Sequence, residues 1–175
     1  MAQLYSKLRP DMKTGDLLMW KTTRIGSLVD ILLLLYQKML GATYTHVGVL
    51  VKEGNRIFVV EATPPVVRLF PLSMAGNFYH IPLDITPNEK HIDFLLSNLG
   101  KKYSLFDFIR STFRIMNNND DFYCSEFCSF FYNQIGLIDN DEAGLTPDHL
   151  VSEVVRVTGK QPVSVKNDKG NLDVL

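Results

Sequence analysis

Apolar residues come in short runs along the first half of the chain and at helical spacing along the second. Asp16 to Trp20 ("DLLMW"), entered through Gly15, is too brief for a stable helix and reads as a strand. "THVGVLV" from Thr45 and "RIFVVEA" from Arg56 are rich in β-branched residues, and the link "KEGN" between them is turn chemistry. "VVRLF" from Val66 and "FYHIPL" from Phe78 predict two more strands, with Pro64, Pro65 and Pro71 marking breaks or edges. The first half therefore predicts a mostly antiparallel sheet, interrupted by one long apolar stretch, Ile25 to Leu40, that ends at Gly41.

From Pro87 the period changes. Ile92, Leu95, Leu96 and Leu99 recur at three and four residues and Gly100 closes that helix. A second helix is expected from Ser104 or Leu105, carrying Phe106, Ile109, Phe113 and Ile115 until the polar loop "NNNDD" at Asn117 to Asp121. A third begins at or just before Cys124, with Phe127, Phe130, Phe131 and Ile135 on its apolar side and Gly136 as terminator. Thr146 followed by Pro147 is an N-cap with proline in first position, so "TPDHLVSEVV" predicts a short fourth helix, and "PVSV" in the polar tail predicts a last strand. The fold class expected is α+β, an antiparallel β-sheet packed against helices.

At 175 residues the chain suits one domain over 1–175. Eighteen basic residues against nineteen acidic leave a net charge of −1, which offers no basic excess for a phosphate backbone, so nucleic acid is not an expected partner. The Ile25–Leu40 stretch is shorter than the roughly 20 residues a bilayer span needs and contains Asp30 and Lys38. It predicts a buried helix; a helix lying on a membrane surface or against an acyl chain is the alternative, and no transmembrane segment is expected. The first ten residues, "MAQLYSKLRP", lack the apolar core of a secretory signal, and two cysteines cannot build a multi-bridge framework. Both points favour a reducing, cytoplasmic location in a bacterial or viral setting. Cys124, Cys128 and the scattered histidines lack the short ligand spacings of structural metal sites, so neither a metal nor another cofactor is expected.

Cysteine chemistry needs the thiolate, which the unpaired amides and dipole of a helix N-terminus favour. Cys124 holds that position, whereas Cys128, one turn on among phenylalanines, reads as packing. A base must accompany a catalytic thiol. Of four histidines, His46 opens a strand, where its side chain can reach a sheet edge; His80, His91 and His149 read as surface or locally bonded residues. A catalytic histidine also needs a polar group to orient it. With a two-residue turn centred on Glu53–Gly54, Glu61 falls directly opposite His46; with the turn on Gly54–Asn55, Thr63 does, and Glu61 stays on the same face. A three-residue turn would put the two on opposite faces. Read alone, Glu61 is equally a strand-end carboxylate turned to solvent.

The phrases "GDLLMW", "THVGVLV", "VVEA" and "YCSEFCSFFY", in this order, resemble the circularly permuted NlpC-like branch of the papain-like cysteine amidases. In that branch the histidine strand and the strand bearing the third polar residue precede the nucleophile helix. The resemblance spans about Gly15 to Leu150 and implies Cys124 as nucleophile, His46 as general base and Glu61 as orienting residue. It also points to Tyr123 as a contributor to the substrate pocket or oxyanion site, against a plain reading as a packing aromatic. "LGKKYSLFDF" and "LTPDHL" resemble the segments flanking the nucleophile helix, without a catalytic role attached. The activity implied is a thiol hydrolase that cleaves an amide in a peptide, peptidoglycan fragment or related acyl substrate through a thioester. Related lecithin-retinol-acyltransferase-like enzymes, lipid acyltransferases or thioesterases, share the His-before-Cys order but carry a histidine where Glu61 stands. A catalytically silent binding module on the same fold is the reading from a different class.

Overall fold

The computed structural model describes residues 2–21, 41–103, 123–139 and 146–168. The helices expected over Ile25–Leu40 and from Ser104 lie outside the described residues. In chain order the elements are β1 (Gln3–Leu4), α1 (Tyr5–Leu8), β2 (Leu17–Trp20), β3 (His46–Glu53), β4 (Arg56–Thr63), β5 (Val66–Pro71), β6 (Phe78–Ile81), α2 (Glu89–Ser97), α3 (Cys124–Gln134), α4 (Pro147–Thr158) and β7 (Val163–Lys166), with a 3-10 turn at Leu72–Met74. The architecture is α+β.

The strands form one mixed sheet in the order β1-β7-β6-β2-β3-β4-β5. Every pairing is antiparallel except β1 with β7, which is parallel. The antiparallel sheet expected from the sequence is thus mixed at that one edge, because two residues are too short a run to register as a strand in the sequence. β6 is an inner strand, since β7 arrives from the far end of the chain to cover its outer side. His80 on β6 is consequently only 2% exposed, not a surface residue.

Period-two alternation splits β3 and β4 between two cores. Val47, Val49, Val51, Val60 and Ala62 pack with Phe127, Cys128 and Phe131 of α3 and with Leu150 and Val154 of α4. Leu50, Ile57 and Val59 pack on the opposite side with Tyr5, Met12, Leu18 and Phe78. α3 is held down by its aromatic residues: the Phe127 ring stacks on Phe94 of α2 at 5.7 Å. α4 begins as its sequence demands, with the Thr146 hydroxyl accepting from the His149 backbone amide and Pro147 in the first turn.

Asp16, immediately before β2, is 1% exposed and fully used. Its Oδ1 accepts the Leu83 amide at 2.8 Å, while its Oδ2 accepts the Lys13 amide at 3.0 Å and lies 2.8 Å from His80 Nε2. This carboxylate ties β2, β6 and the loop before β2 together, which gives His80 its partner at long range.

The β3–β4 hairpin closes on a two-residue turn at Gly54–Asn55, where Gly54 has φ of +54°, a region other residues rarely adopt. The register runs Val49 opposite Val60 to Glu53 opposite Arg56. Of the two even turns considered above, the one centred on Gly54–Asn55 is therefore the one formed, and it sets His46 and Glu61 diagonally on one face. Gly48 stands between them. A Cβ there would lie 2.5 Å from Val59 Cγ2 and 3.2 Å from Glu61 Cβ. Gly48→Ala is expected to cost about 1–3 kcal/mol through overpacking, read as a lowered urea midpoint. Gly76, where a Cβ meets nothing within 4 Å, is the control position and should tolerate alanine.

Candidate active site

His46 is the first residue of β3, and the loop leading to it is fixed from outside the sheet. The Tyr44 amide donates to Asp148 Oδ1 at 2.8 Å, and the Thr43 amide to Oδ2 of the same carboxylate. Asp148 belongs to the first turn of α4, so "LTPDHL" anchors the approach to the histidine. The Thr45 amide donates to Trp20 O at 3.0 Å, and the Trp20 indole lies against the His46 ring at 5.5 Å.

His46 Nε2 lies 2.7 Å from Glu61 Oε2. Glu61 is only 4% exposed and is held by a third residue, Arg68 of β5, whose Nε and Nη2 donate to Oε1 at 2.8 and 2.6 Å. With Nε2 turned to Glu61, Nδ1 is the ring nitrogen left for the hydrogen bond between His46 and Cys124. Alternation puts His46 on the face opposite the helices, but as the first residue of its strand it sits at the end of the sheet, where the N-terminus of α3 meets it. Cys124 is the first residue of α3 and is 1% exposed. Sequence reasoning about Cys124, His46 and Glu61 thus ends with the three in one hydrogen-bonded chain.

Burial works against a charged His46, but the Glu61 carboxylate and the hydrogen bonds to Cys124 and Glu61 outweigh it and push its pKa up to about 10. Burial opposes the Glu61 charge too, and His46 and Arg68 overcome it, holding that carboxyl below its ordinary value. The imidazolium–carboxylate pair is the neutral-pH state. Its effect on stability follows by linkage: the His46 part is complete below pH 6.5 and is lost as pH rises toward about 10. The Glu61 part is present above pH 4.5 and is lost as pH falls below it. The stability difference between the wild type and His46→Asn, measured by urea unfolding, should form a plateau between these limits, on the order of 2 kcal/mol, and shrink on both sides.

Cys128 is also buried, among the α3 aromatic residues, and burial pushes its thiol well above 9.0. Tyr123 is the N-cap residue of α3, extended in backbone, 3% exposed and without a side-chain cap bond. It directly precedes Cys124 in the chain and lies near Tyr103. Tyr103 was not singled out by the sequence; burial first, then the neighbouring Cys124 and Tyr123, raises its phenol far above its ordinary value. Arg68 was also missed. The arithmetic used for the first hairpin would have found it, because a two-residue turn at Pro64–Pro65 sets Arg68 opposite Glu61.

His91 and His149 are locally bonded. His91 closes a capping box with Asn88, and His149 donates its backbone amide to Thr146. A groove of about 270 Å³ runs along the open face, lined by Trp20, His46, Glu61, Thr63, Arg68 and Phe70. A larger cavity of about 720 Å³ lies near the hairpin turn, bordered by Lys13, Asp16, Lys52 and Asp84, and includes none of the three chain members. Among the described residues no group of three or more His, Cys, Asp or Glu is placed to hold a metal ion, and no helix is long and apolar enough to cross a membrane.

No family model matches the sequence, and no curated protein matches it. Among solved structures, the chain is similar to the crystal structure of the metalloprotein yiiX from Escherichia coli O157:H7. The TM-score is 0.53 at 19% sequence identity, and the match covers 88% of this chain and 89% of that chain. At such identity the likeness carries the fold, and it supports the α+β architecture.

Proposed function

We propose that the protein is a cysteine amidase-type hydrolase with a circularly permuted papain-like fold, in which Cys124 is the nucleophile, His46 the general base and Glu61 its orienting carboxylate. The observation that carries this reading is the chain itself: a cysteine opening a helix, hydrogen-bonded to a histidine whose other nitrogen meets a buried, paired carboxylate. The order of elements supports the permuted form, since the His46 and Glu61 strands precede the Cys124 helix.

In the reaction the Cys124 sulfur, its proton held on His46 Nδ1 in the imidazolium that Glu61 stabilises, attacks the acyl carbon of the substrate. Charge moves to the carbonyl oxygen, where the backbone amides that open α3, which have no partner four residues back in the helix, serve as donors. Collapse of the tetrahedral adduct expels the amine, which leaves with the proton held by the imidazolium. The thioester remains. Water, deprotonated by His46, then attacks it, releases the acid and restores the thiol. An alcohol or amine in place of water converts the same intermediate into acyl transfer. The substrate class is a peptide, peptidoglycan fragment or related acyl compound, met in the cytoplasm or at a membrane surface.

The test uses p-nitrophenyl acetate. A burst of p-nitrophenolate and an acetyl group mapped to Cys124 by peptide mass are expected, and both should vanish in Cys124→Ala. If wild type and Cys124→Ala release p-nitrophenolate at equal rates and no acetyl group is found on Cys124, the hydrolase reading fails. Once Cys124 is seen to be acetylated, incubation with cell extract and a search for other adducts on Cys124 identifies the acyl class.

A further inference from the structure

The two oxygens of Glu61 are divided between two partners. Oε1 takes both Arg68 donors, and Oε2 meets His46. Arg68 is itself held, since its guanidinium lies over the Phe70 ring at 4.6 Å and it stands opposite Glu61 in the β4–β5 register. A guanidinium has donors and no acceptor, so whatever atom of residue 61 faces it must be an oxygen. The carboxylate has an oxygen for each side. An amide has only one.

From this we infer that Arg68 is a positioning residue: by claiming one oxygen of Glu61 it commits the other to His46 and so dictates which ring nitrogen carries the proton. The inference rests on the acyl-transfer reading above. In wild type, Nε2–H donates to Oε2, so Nδ1 is the nitrogen that exchanges a proton with Cys124, holding it in the imidazolium and standing bare when the ring is neutral. In Glu61→Gln the amide oxygen must turn to Arg68, which leaves the NH₂ group facing Nε2. Nε2 then has to accept, and the ring proton moves to Nδ1, where it points at the sulfur. Such a neutral ring cannot take the proton of Cys124. Without Arg68 the glutamine is free to rotate, offer its oxygen to Nε2–H and return Nδ1 to service. Arg68 is 47% exposed in its side chain, so water can satisfy the amide hydrogens left behind.

The experiment compares wild type, Arg68→Met, Glu61→Gln and the double variant. Acetylation of Cys124 by p-nitrophenyl acetate is timed in each, and the His46 ring-nitrogen shifts are read by ¹⁵N NMR. Glu61→Gln is expected to acylate about 10²–10⁴-fold more slowly than wild type, the scale of a wrong-tautomer defect in a catalytic histidine. Its ring should carry the proton on Nδ1. The double variant is expected to be at least about tenfold faster than Glu61→Gln, the scale of restoring a single base contact, with the proton back on Nε2. Arg68→Met alone should slow the reaction less than Glu61→Gln does. A merely structural Arg68 gives the opposite order, with the double variant no faster than Glu61→Gln and the same ring shifts in both; that result overturns the inference. Should the double variant fail to fold, Arg68→Gln with Glu61→Gln replaces it, because glutamine at 68 offers either a hydrogen or an oxygen. If wild-type Cys124 is not acetylated, the hydrolase reading has failed, while the ring-nitrogen shifts still decide whether Arg68 sets the tautomer.

Discussion

Replacing His46 with alanine is expected to slow acetylation of Cys124 by p-nitrophenyl acetate by about 10²–10⁴-fold, the usual worth of a positioned base. The reason lies in the geometry at the end of the sheet. His46 is the hydrogen-bonding partner of Cys124. Tyr103 and Tyr123 flank it, but burial and its two neighbours raise the Tyr103 phenol, which takes it out of use as a base. Cys128→Ala serves as the internal comparison. That thiol sits one turn deeper, fully buried and pushed well above 9.0, so its loss should leave the acetylation rate close to wild type while lowering stability. A His46→Ala protein that acetylates at the wild-type rate would remove the base role.

The second large effect is on stability. Asp16→Ala is expected to cost about 3–5 kcal/mol, the range for taking one partner from a buried polar pair. Three groups lose their acceptor together: the Leu83 amide, the Lys13 amide and His80 Nε2. His80 has only 2% exposure, so water does not readily replace the carboxylate. Asp16→Asn keeps an oxygen for one of these partners and should cost less than alanine. Urea unfolding of the three proteins gives the order directly; equal midpoints for Asp16→Ala and wild type would mean that water enters the site.

The difference between what the sequence disclosed and what it withheld follows the range of the interactions. His46 and Glu61 were legible because a tight hairpin joins their strands, so counting residues from the turn settles which side chains share a face. Cys124 was legible because a helix start is a local signal. Arg68 was within reach of the same counting, but an arginine half out of water in a strand bears no mark of its own. His80 was not legible, since its burial depends on β7, which arrives from residues 163–166, and on Asp16, 64 residues away. Tyr103 belongs with it, because a tyrosine after two lysines says nothing about a thiol that joins it only on folding.

Both margins of the sheet are closed against other chains. β1 is two residues long, too short to template a foreign strand. The outer side of β5 is engaged by residues 100–103: the Val67 amide donates to Lys101 O, the Gly100 amide to Val67 O and the Tyr103 amide to Pro65 O. Stripped of that strap, β5 would offer a row of unpaired backbone groups at the margin of an apolar sheet, the geometry from which intermolecular β-aggregates grow. The segment that brings Tyr103 to the thiol thus also guards the chain's solubility, and lesions there should surface as precipitation during expression before they surface as lost turnover.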